Sequence, residues 1–313
     1  MSPLRLTLHD SEPFAPLDLH CEAFLLDRDA ARCMPKTMTH YTYTLGIFVG
    51  WLQQQAVNSP QELTAHHIRA YLVDLQGRGL KDTTQHAHAR GVKTWLRWLV
   101  DEGELVESPM HRVSMPRLEK RIQPPFSPED IKTLLVACNT KAPKDLRTRA
   151  MILALLDSGL RASEFMGLAV SSVNMRSGLV TVMGKGHKQR TVRFGTKTRQ
   201  AILRYLARRQ AANQVSPLWV AYRPGGEERG QLTLRGLQMV FRRLGRESGV
   251  IPCHPHRFRR TFALWCLRDG MDLHSLRLLM GHSSLAVLQR YLALAGEDVE
   301  RAHKLHSPVD NLL

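Results

Sequence analysis

Cysteine is scarce in this sequence of 313 residues, and its few positions form no obvious pairs. Five cysteines occur, an odd number, and none of them lies in a CxxC pair. Cys253, His254 and His256 are close enough to suggest metal ligands, but no second ligand cluster accompanies them. This pattern favours buried thiols in a reducing compartment, so we expect a cytoplasmic protein without a disulfide framework or a bound metal.

Long hydrophobic runs are also missing. The apolar stretches are short and interrupted by charge, whereas a membrane-spanning helix needs about 20 apolar residues. The first residues, MSPLRLTLHDSEPF, contain no apolar segment of the kind found in signal peptides. The sequence therefore predicts no membrane partner.

Acidic residues are scarce in the second part of the chain. Residues 1–126 contain 14 Lys and Arg against 14 Asp and Glu, whereas residues 127–313 contain 30 against 14. The whole net charge of +16 lies in this second part. Such a surplus predicts a polyanionic partner, and we favour nucleic acid over a basic surface that serves only solubility. The second part also has no DxD pair, which disfavours catalysis by two carboxylate-bound metals.

The chain length favours two domains. Four prolines occur within residues 101–126, which show no sustained apolar period. We therefore expect an N-terminal domain over residues 1–110, a linker over residues 111–126 and a C-terminal domain over residues 127–313.

Helical periodicity dominates the N-terminal domain. Apolar residues recur at helical spacing over 37–55, 63–75 and 83–100. The last of these segments also carries a basic stripe on a second face, formed by His86, Arg90, Lys93 and Arg97. The stripe suits contacts with phosphates, although a solvated charged face has the same pattern. A DNA-binding neighbour domain favours the first interpretation.

The C-terminal domain has a mixed pattern. Ser127 and Pro128 predict the start of a helix. Alternating apolar residues on both sides of Gly184-Lys185-Gly186 predict a β-hairpin with a lysine at its turn. Helices are expected from Arg199 to the end of the chain. The fold class is therefore mainly α with a small β-sheet.

Several cationic and nucleophilic side chains follow one another in a distinctive order. The HxxR pattern alone is uninformative, because it occurs five times. The order and surroundings of the residues are more informative. Arg161 follows a glycine turn and precedes Glu164, and His256 and Arg259 open a predicted helix. Stabilising the charged transition state of phosphodiester cleavage requires several such groups to converge.

In this order and spacing, the chain resembles the tyrosine recombinase (phage integrase) family. GLRASE, at 159–164, is similar to the family's GLRxSE, and GKGHKQR, at 184–190, is similar to its GKGxKxR. PHRFRRTFA, at 255–263, resembles the family's PHxxRxxFA and selects His256 and Arg259 over the overlapping His254 and Arg257. The segment from Met280 to Tyr291 resembles its LGHSSxxxTxxY ending.

The resemblance implies a fold and a reaction. A helical core-binding domain and an α+β catalytic domain would form a C-shaped clamp around double-stranded DNA. Tyr291 would attack the scissile phosphate and form a 3′-phosphotyrosyl bond, leaving a 5′-hydroxyl, without a metal or a cofactor.

The resemblance also implies a role for each site residue. Arg161 and Arg259 would bind the non-bridging oxygens, a task that suits planar guanidinium groups better than an ammonium group. Lys185 would be the general acid, His256 would assist proton transfer with the tyrosine, and His282 would donate a hydrogen bond to the phosphate. Glu164 would support the site by accepting hydrogen bonds.

The resemblance therefore favours a site-specific recombinase that acts as a homotetramer on paired sites and is a monomer or a dimer when free. A type IB topoisomerase-like enzyme and a DNA-binding regulator without catalytic activity are the alternatives. Whether the role is that of a phage, transposon, integron or Xer-type enzyme stays open. So does whether the tail over residues 297–305 packs on its own domain or on a neighbouring protomer.

Overall fold

The computed structural model describes residues 16–118, 123–184, 189–209, 213–281, 307 and 309. The chain divides into two compact units, Met1–Arg121 and Ile122–Leu313. The division falls within the segment for which the sequence predicts a linker. None of the described helices is long and apolar enough to cross a membrane.

The secondary structure described in the N-terminal unit is all helical, as predicted. The α-helices are α1 (Leu17–Ala30), α2 (Pro35–Gln54), α3 (Ala65–Gly77) and α4 (Asp82–Asp101), and the 3₁₀ turns are Pro60–Glu62 and Pro109–Arg112. Thr64 caps α3, because its hydroxyl accepts a hydrogen bond from the backbone N–H of His67. The apolar faces of these helices bury a core that includes Phe24, Phe48, Tyr71 and Trp95.

The C-terminal unit mixes helices with two small sheets. Its α-helices are α5 (Pro128–Val136), α6 (Pro143–Ser158), α7 (Ala162–Met166), α8 (Thr196–Leu206), α9 (Leu234–Ser248), α10 (Pro255–Arg268) and α11 (Leu273–Met280). Its strands are β1 (Leu179–Met183), β2 (Gln189–Arg193), β3 (Val220–Tyr222) and β4 (Glu228–Gln231). A 3₁₀ turn covers Val170–Ser172.

The helix α6 lies at the centre of this unit, where it packs against α8 and α10. Its apolar residues are buried in a core that contains the ring pair Phe165 and Trp219, whose centroids lie 4.8 Å apart. The helix ends at Gly159, which has a φ of +59°. A Cβ there would lie 2.2 Å from the ring of Phe262, so both the backbone angle and the space require glycine.

The first hairpin agrees with the sequence prediction. β1 and β2 are antiparallel, with Val180 opposite Val192, and both side chains are buried. A second antiparallel pair, β3 and β4, lies within the region predicted to be helical from Arg199 onwards. That prediction was wrong, because strands of three and four residues are too short for alternation to be recognised.

The segment that precedes α5 is fixed to α10. The guanidinium of Arg257 donates hydrogen bonds to the carbonyls of Pro124 and Pro125 and to the Asp130 carboxylate, and lies 4.0 Å from the centroid of the Phe126 ring. The end of the predicted linker is therefore attached to the helix that carries His256 and Arg259.

Candidate active site

A cavity of about 200 Å³ brings together residues that lie far apart in the sequence. Leu160, Arg161 and Ala162, just after α6, line one side, and Pro255, His256 and Arg259, on the first turns of α10, line the other. Two arginines and a histidine thus line one small cavity. Such a set of donors can hold an anion.

Arg259 is the more deeply placed of the two arginines, with 3% of its surface exposed. Its guanidinium donates to the carbonyl of Gly159 over 2.6 Å and to the carbonyl of Met280 over 2.7 Å. These bonds connect the end of α6, the start of α10 and the end of α11. Arg259 therefore has a fixed position before any ligand arrives.

Arg161 is held differently, and 38% of its side chain is exposed. It precedes the short helix α7, where its backbone N–H and its guanidinium both donate to the Glu164 carboxylate, each over 2.9 Å. A further guanidinium nitrogen donates to the carbonyl of Gly281. The remaining exposure leaves Arg161 accessible from the cavity.

Glu164 is the acceptor at the centre of this arrangement, and only 5% of its side chain is exposed. Arg190 on β2 donates to both of its carboxylate oxygens, each over 2.8 Å. Burial by itself raises the pKa of Glu164, but the hydrogen bonds from Arg190 and Arg161 outweigh it and lower the pKa to about 2. Glu164 is therefore ionised at neutral pH.

Sequence reasoning missed Arg190, although the residue ends the quoted motif GKGHKQR. A signal was available. Side chains at 190, 192 and 194 share one face of the strand, and Val192 and Phe194 are buried. A charged residue on the buried face of a strand requires a charged partner, which here is Glu164.

The C-terminal end of α11 organises all three arginines. Its last carbonyls have no partner within the helix. The carbonyls of Leu279, Met280 and Gly281 accept hydrogen bonds from Arg190, Arg259 and Arg161, respectively. The partial negative charge at a helix C-terminus stabilises cations in this position.

His256 lies at the rim of the cavity, and its surface is exposed. Its pKa is nevertheless lowered from the ordinary value of 6.5, first by the surrounding protein, which partly desolvates the ring, and then by the charges of Arg260 and Arg259. The neutral imidazole is thus favoured near neutral pH. In that form His256 can accept a proton.

Both ring nitrogens of the adjacent His254 are engaged within the protein. Its Nδ1 accepts the backbone N–H of Arg257, and its Nε2 lies 2.9 Å from Oε1 of Gln123. His254 therefore caps α10. It does not belong to the cavity lining.

Three predicted site residues, Lys185, His282 and Tyr291, lie outside the described residues. Lys185 follows Gly184 at the end of β1, and His282 follows Gly281 at the end of α11 in the sequence. Their predicted roles stay predictions.

The predicted basic stripe lies on α4 in the N-terminal unit. Arg90, Lys93 and Arg97 are exposed, and His86 is half-buried. Arg97 has one ion-pair partner, Asp101, at 3.9 Å, and both side chains are largely exposed. Exposed pairs of this kind contribute little to stability, so the stripe remains available to an anionic partner.

Two family models match the chain. The model described as "Phage integrase family" matches residues 125–297, and the model described as "Phage integrase, N-terminal SAM-like domain" matches residues 21–103. Each match lies within one of the two units described above.

The chain is also similar to curated relatives over most of its length. It is 30% identical to tyrosine recombinase XerC of Bacillus pumilus over 275 residues, which cover 87% of this chain and 90% of that protein. It is 31% identical to tyrosine recombinase XerC of Haemophilus influenzae, over 83% of this chain and 87% of that protein.

Among solved structures, the Tn1549 transposon integrase in complex with transposon right end DNA has a similar fold. The TM-score is 0.72 at 17% identity, over 92% of this chain and 99% of that chain.

The family models and the curated relatives together identify the family. The chain belongs to the phage integrase family, and it is a site-specific tyrosine recombinase of the Xer and integrase type.

Proposed function

We propose that this protein breaks and rejoins strands of double-stranded DNA by transesterification through a 3′-phosphotyrosyl intermediate. The phenolic oxygen of Tyr291 attacks the scissile phosphorus, the bond to the 5′-oxygen breaks, and the 5′-hydroxyl leaves. A 5′-hydroxyl of a partner strand then attacks the phosphotyrosine and restores a phosphodiester. One ester replaces another in each step, so the reaction requires neither ATP nor a metal.

The cavity between α7 and α10 carries this proposal. Arg161 and Arg259 are 98 positions apart, yet both line one cavity together with His256. Two planar cations on one phosphate would bind its non-bridging oxygens and stabilise the extra negative charge of the transition state. Their internal hydrogen bonds hold them in place beforehand, which reduces the reorganisation that catalysis would require.

Proton transfer is assigned to the remaining groups. The neutral imidazole favoured at His256 suits assistance in removing the Tyr291 proton, because only the neutral ring accepts one. Lys185 is proposed to protonate the leaving 5′-oxygen, and His282 to donate a hydrogen bond to the phosphate. Glu164 is a positioning residue, since its carboxylate binds Arg161 and Arg190.

DNA binding is proposed for both units. Residues 1–110, within the N-terminal unit, are proposed to form the core-binding domain, and residues 127–313 the catalytic domain. The α4 stripe of His86, Arg90, Lys93 and Arg97 would contact backbone phosphates, which supplies affinity without reading base sequence.

The proposed active assembly is a homotetramer on two paired sites. Exchange between two duplexes breaks four strands, and each protomer supplies one Tyr291. Four protomers therefore provide one nucleophile for each strand.

A suicide substrate tests the nucleophile directly. A duplex that carries a nick beside the scissile phosphate loses its short 5′-hydroxyl fragment by diffusion, so the covalent protein–DNA adduct accumulates. We expect Tyr291→Phe to abolish the adduct, measured as a shifted band in a denaturing gel, while DNA binding in a mobility-shift assay is retained.

Tyr222→Phe is the matched control, because Tyr222 lies on β3 and lines a different cavity. Its adduct yield should equal that of the unaltered protein. An undiminished adduct in Tyr291→Phe would show that another group attacks the phosphate.

A further inference from the structure

A second cavity in the C-terminal unit is larger and much more basic than the first. It measures about 730 Å³ and lies among the first half of α6, the hairpin of β3 and β4, and α9. We name it the basic groove. Its lining includes Lys144 and six arginines: Arg147, Arg223, Arg229, Arg242, Arg243 and Arg246.

The basic groove is separate from the active-site cavity, and the two share no lining residue. Arg147 lies near the start of α6, whereas Arg161 follows its end. A rise of 1.5 Å per residue places Arg147 about 16 Å along the helix from Ser158. A ligand in the groove would therefore not occupy the catalytic site.

Arg147 is the most unusual residue of the groove, because it is a buried cation with few partners. Only 3% of its surface is exposed. One guanidinium nitrogen donates to the carbonyl of Val220 over 2.6 Å, and the guanidinium lies 5.2 Å from the centroid of the Tyr222 ring. Its Nε is buried and has no hydrogen-bond partner within the described part of the chain. No acidic residue among those described forms an ion pair with it.

Burial of this charge is costly without an anion. Desolvation by burial is the largest influence and lowers the pKa of Arg147, although the nearby Tyr205, Tyr222 and Asp145 act in the opposite direction. A buried charge without a counter-charge destabilises a fold. An anionic ligand would supply the missing charge.

The other cations of the groove are only weakly neutralised. Arg243 lies 3.6 Å from Glu247, one helical turn away, and Arg223 lies 3.8 Å from Glu227 across the hairpin turn. All four side chains are largely exposed. Such exposed pairs contribute little. The positive potential of the groove therefore persists, and it favours a ligand with several negative charges.

The rest of the lining is apolar, which limits the chemical class of ligand that the basic groove can bind. Tyr222, Leu232, Met239 and Val240 all line the same cavity. The volume is within the range of small-molecule sites, which is about 300–1,000 Å³. A cavity of this size can hold a small polyanion beside Arg147, which belongs to its lining.

We propose that the basic groove binds a nucleoside polyphosphate, with the phosphates on the arginines and the base against the apolar wall. This ligand is not a reactant in strand exchange. The proposal therefore does not depend on the proposed catalytic function.

Titration calorimetry and thermal unfolding of the full chain test the proposal, with ATP, GTP, inorganic tripolyphosphate and adenosine as ligands at fixed salt. ATP and GTP should bind and raise Tm, tripolyphosphate should bind more weakly, and adenosine should not bind. Arg242→Ser combined with Arg246→Ser should raise the Kd for ATP at least about tenfold, because the two serines cannot form charge-assisted hydrogen bonds with the phosphates.

The matched control is Arg235→Ser combined with Arg268→Ser. It removes the same charge from exposed positions that do not line the groove, and it should change the Kd less than about twofold. Equal affinities in the two double variants would place ATP elsewhere. If the groove variants weaken binding of a short single-stranded oligonucleotide but ATP does not bind, the groove is a nucleic-acid surface and the proposal is wrong.

Arg147→Met gives a second, independent test. Removing the uncompensated buried charge should leave Tm of the ligand-free protein unchanged or higher, and the Tm increase caused by ATP should disappear. A large decrease in Tm without ligand, or an unchanged response to ATP, would contradict the proposal.

Discussion

The guanidinium of Arg161 has two partners inside the protein and still reaches the surface of a small cavity. Its bond to Glu164 fixes its direction, and its exposure leaves nitrogen atoms available for a ligand. Planarity matters in both tasks, because one guanidinium can bind a carboxylate and a phosphate at the same time.

Arg161→Lys should therefore separate binding from cleavage. The ammonium group keeps the charge but lacks the paired donors, so we expect near-normal DNA affinity and a rate of adduct formation reduced about 100-fold or more. Single-turnover kinetics on the suicide substrate, together with a mobility-shift titration, provides the measurement. An equal reduction of both properties would indicate a structural role for Arg161.

The carboxylate of Glu164 makes protein stability depend on pH. Its pKa is about 2 in the fold against an ordinary value of 4.5, so the ionised form stabilises the fold by about 3 kcal/mol above pH 5. This contribution disappears as the pH falls from about 5 towards 2. Glu164→Gln should be less stable at pH 7, and its deficit should shrink across that range.

Urea unfolding at a series of pH values measures this difference. Glu247→Gln is the control, because Glu247 forms an exposed ion pair with Arg243 and its replacement should cost under about 1 kcal/mol at any pH. A deficit of Glu164→Gln that does not change between pH 7 and pH 3 would contradict the ionised arrangement.

At the scale of helices and strands, local rules predicted much of the fold. Ser127 caps α5 through a reciprocal bond with Asp130, and Gly159 ends α6 in the left-handed conformation. The alternation of Val180 and Val182 identified β1. The hairpin of β3 and β4 escaped detection, because its strands are too short for a periodic signal.

The candidate site was likewise predictable only in part from the sequence. The order of motifs predicted that Arg161, His256 and Arg259 act together, and the structure places them around one cavity. The partnership of Arg190 with Glu164 and the carbonyls of α11 depends on how separate elements pack. Alternation along β2 indicates only that Arg190 needs a charged partner; which groups it meets could not be predicted from sequence spacing.

The helix α4 offers a test at this scale. Replacing Arg90, Lys93 and Arg97 together by Gln removes three exposed charges while the buried apolar face of the helix stays intact. We expect weaker DNA binding for all sequences alike and a shallower dependence of log K on log salt, by about one unit for each phosphate that the variant no longer neutralises. Anisotropy titrations at several salt concentrations measure it.

Arg28, Arg78 and Arg112 serve as the matched triple control, since each belongs to the same unit but lies off α4. Their replacement should change the salt slope less. If the two triple variants behave alike, the α4 stripe is only a solvated face.

At the scale of the whole molecule, the proposed tetramer predicts that a few inactive protomers disable strand exchange by the entire assembly. Mixing the unaltered protein with Tyr291→Phe should reduce complete strand exchange more steeply than in proportion to the active fraction, because each assembly requires several active protomers. Adduct formation on a suicide half-site, which needs a single nucleophile, should fall in proportion. A proportional fall in both assays would argue against exchange by an assembly.

Arg161, Arg190 and Arg259 all donate hydrogen bonds to carbonyls at the end of α11, so the position of this helix affects all three side chains. That helix is fixed by a small apolar cluster of its own, in which Leu276 and Met280 pack against Phe262 and Ala263 of α10. A shift of this short helix would displace the guanidinium groups of all three arginines together. The apolar packing of α11 on α10 thereby holds three charged side chains in register, although none of the packed residues carries a charge.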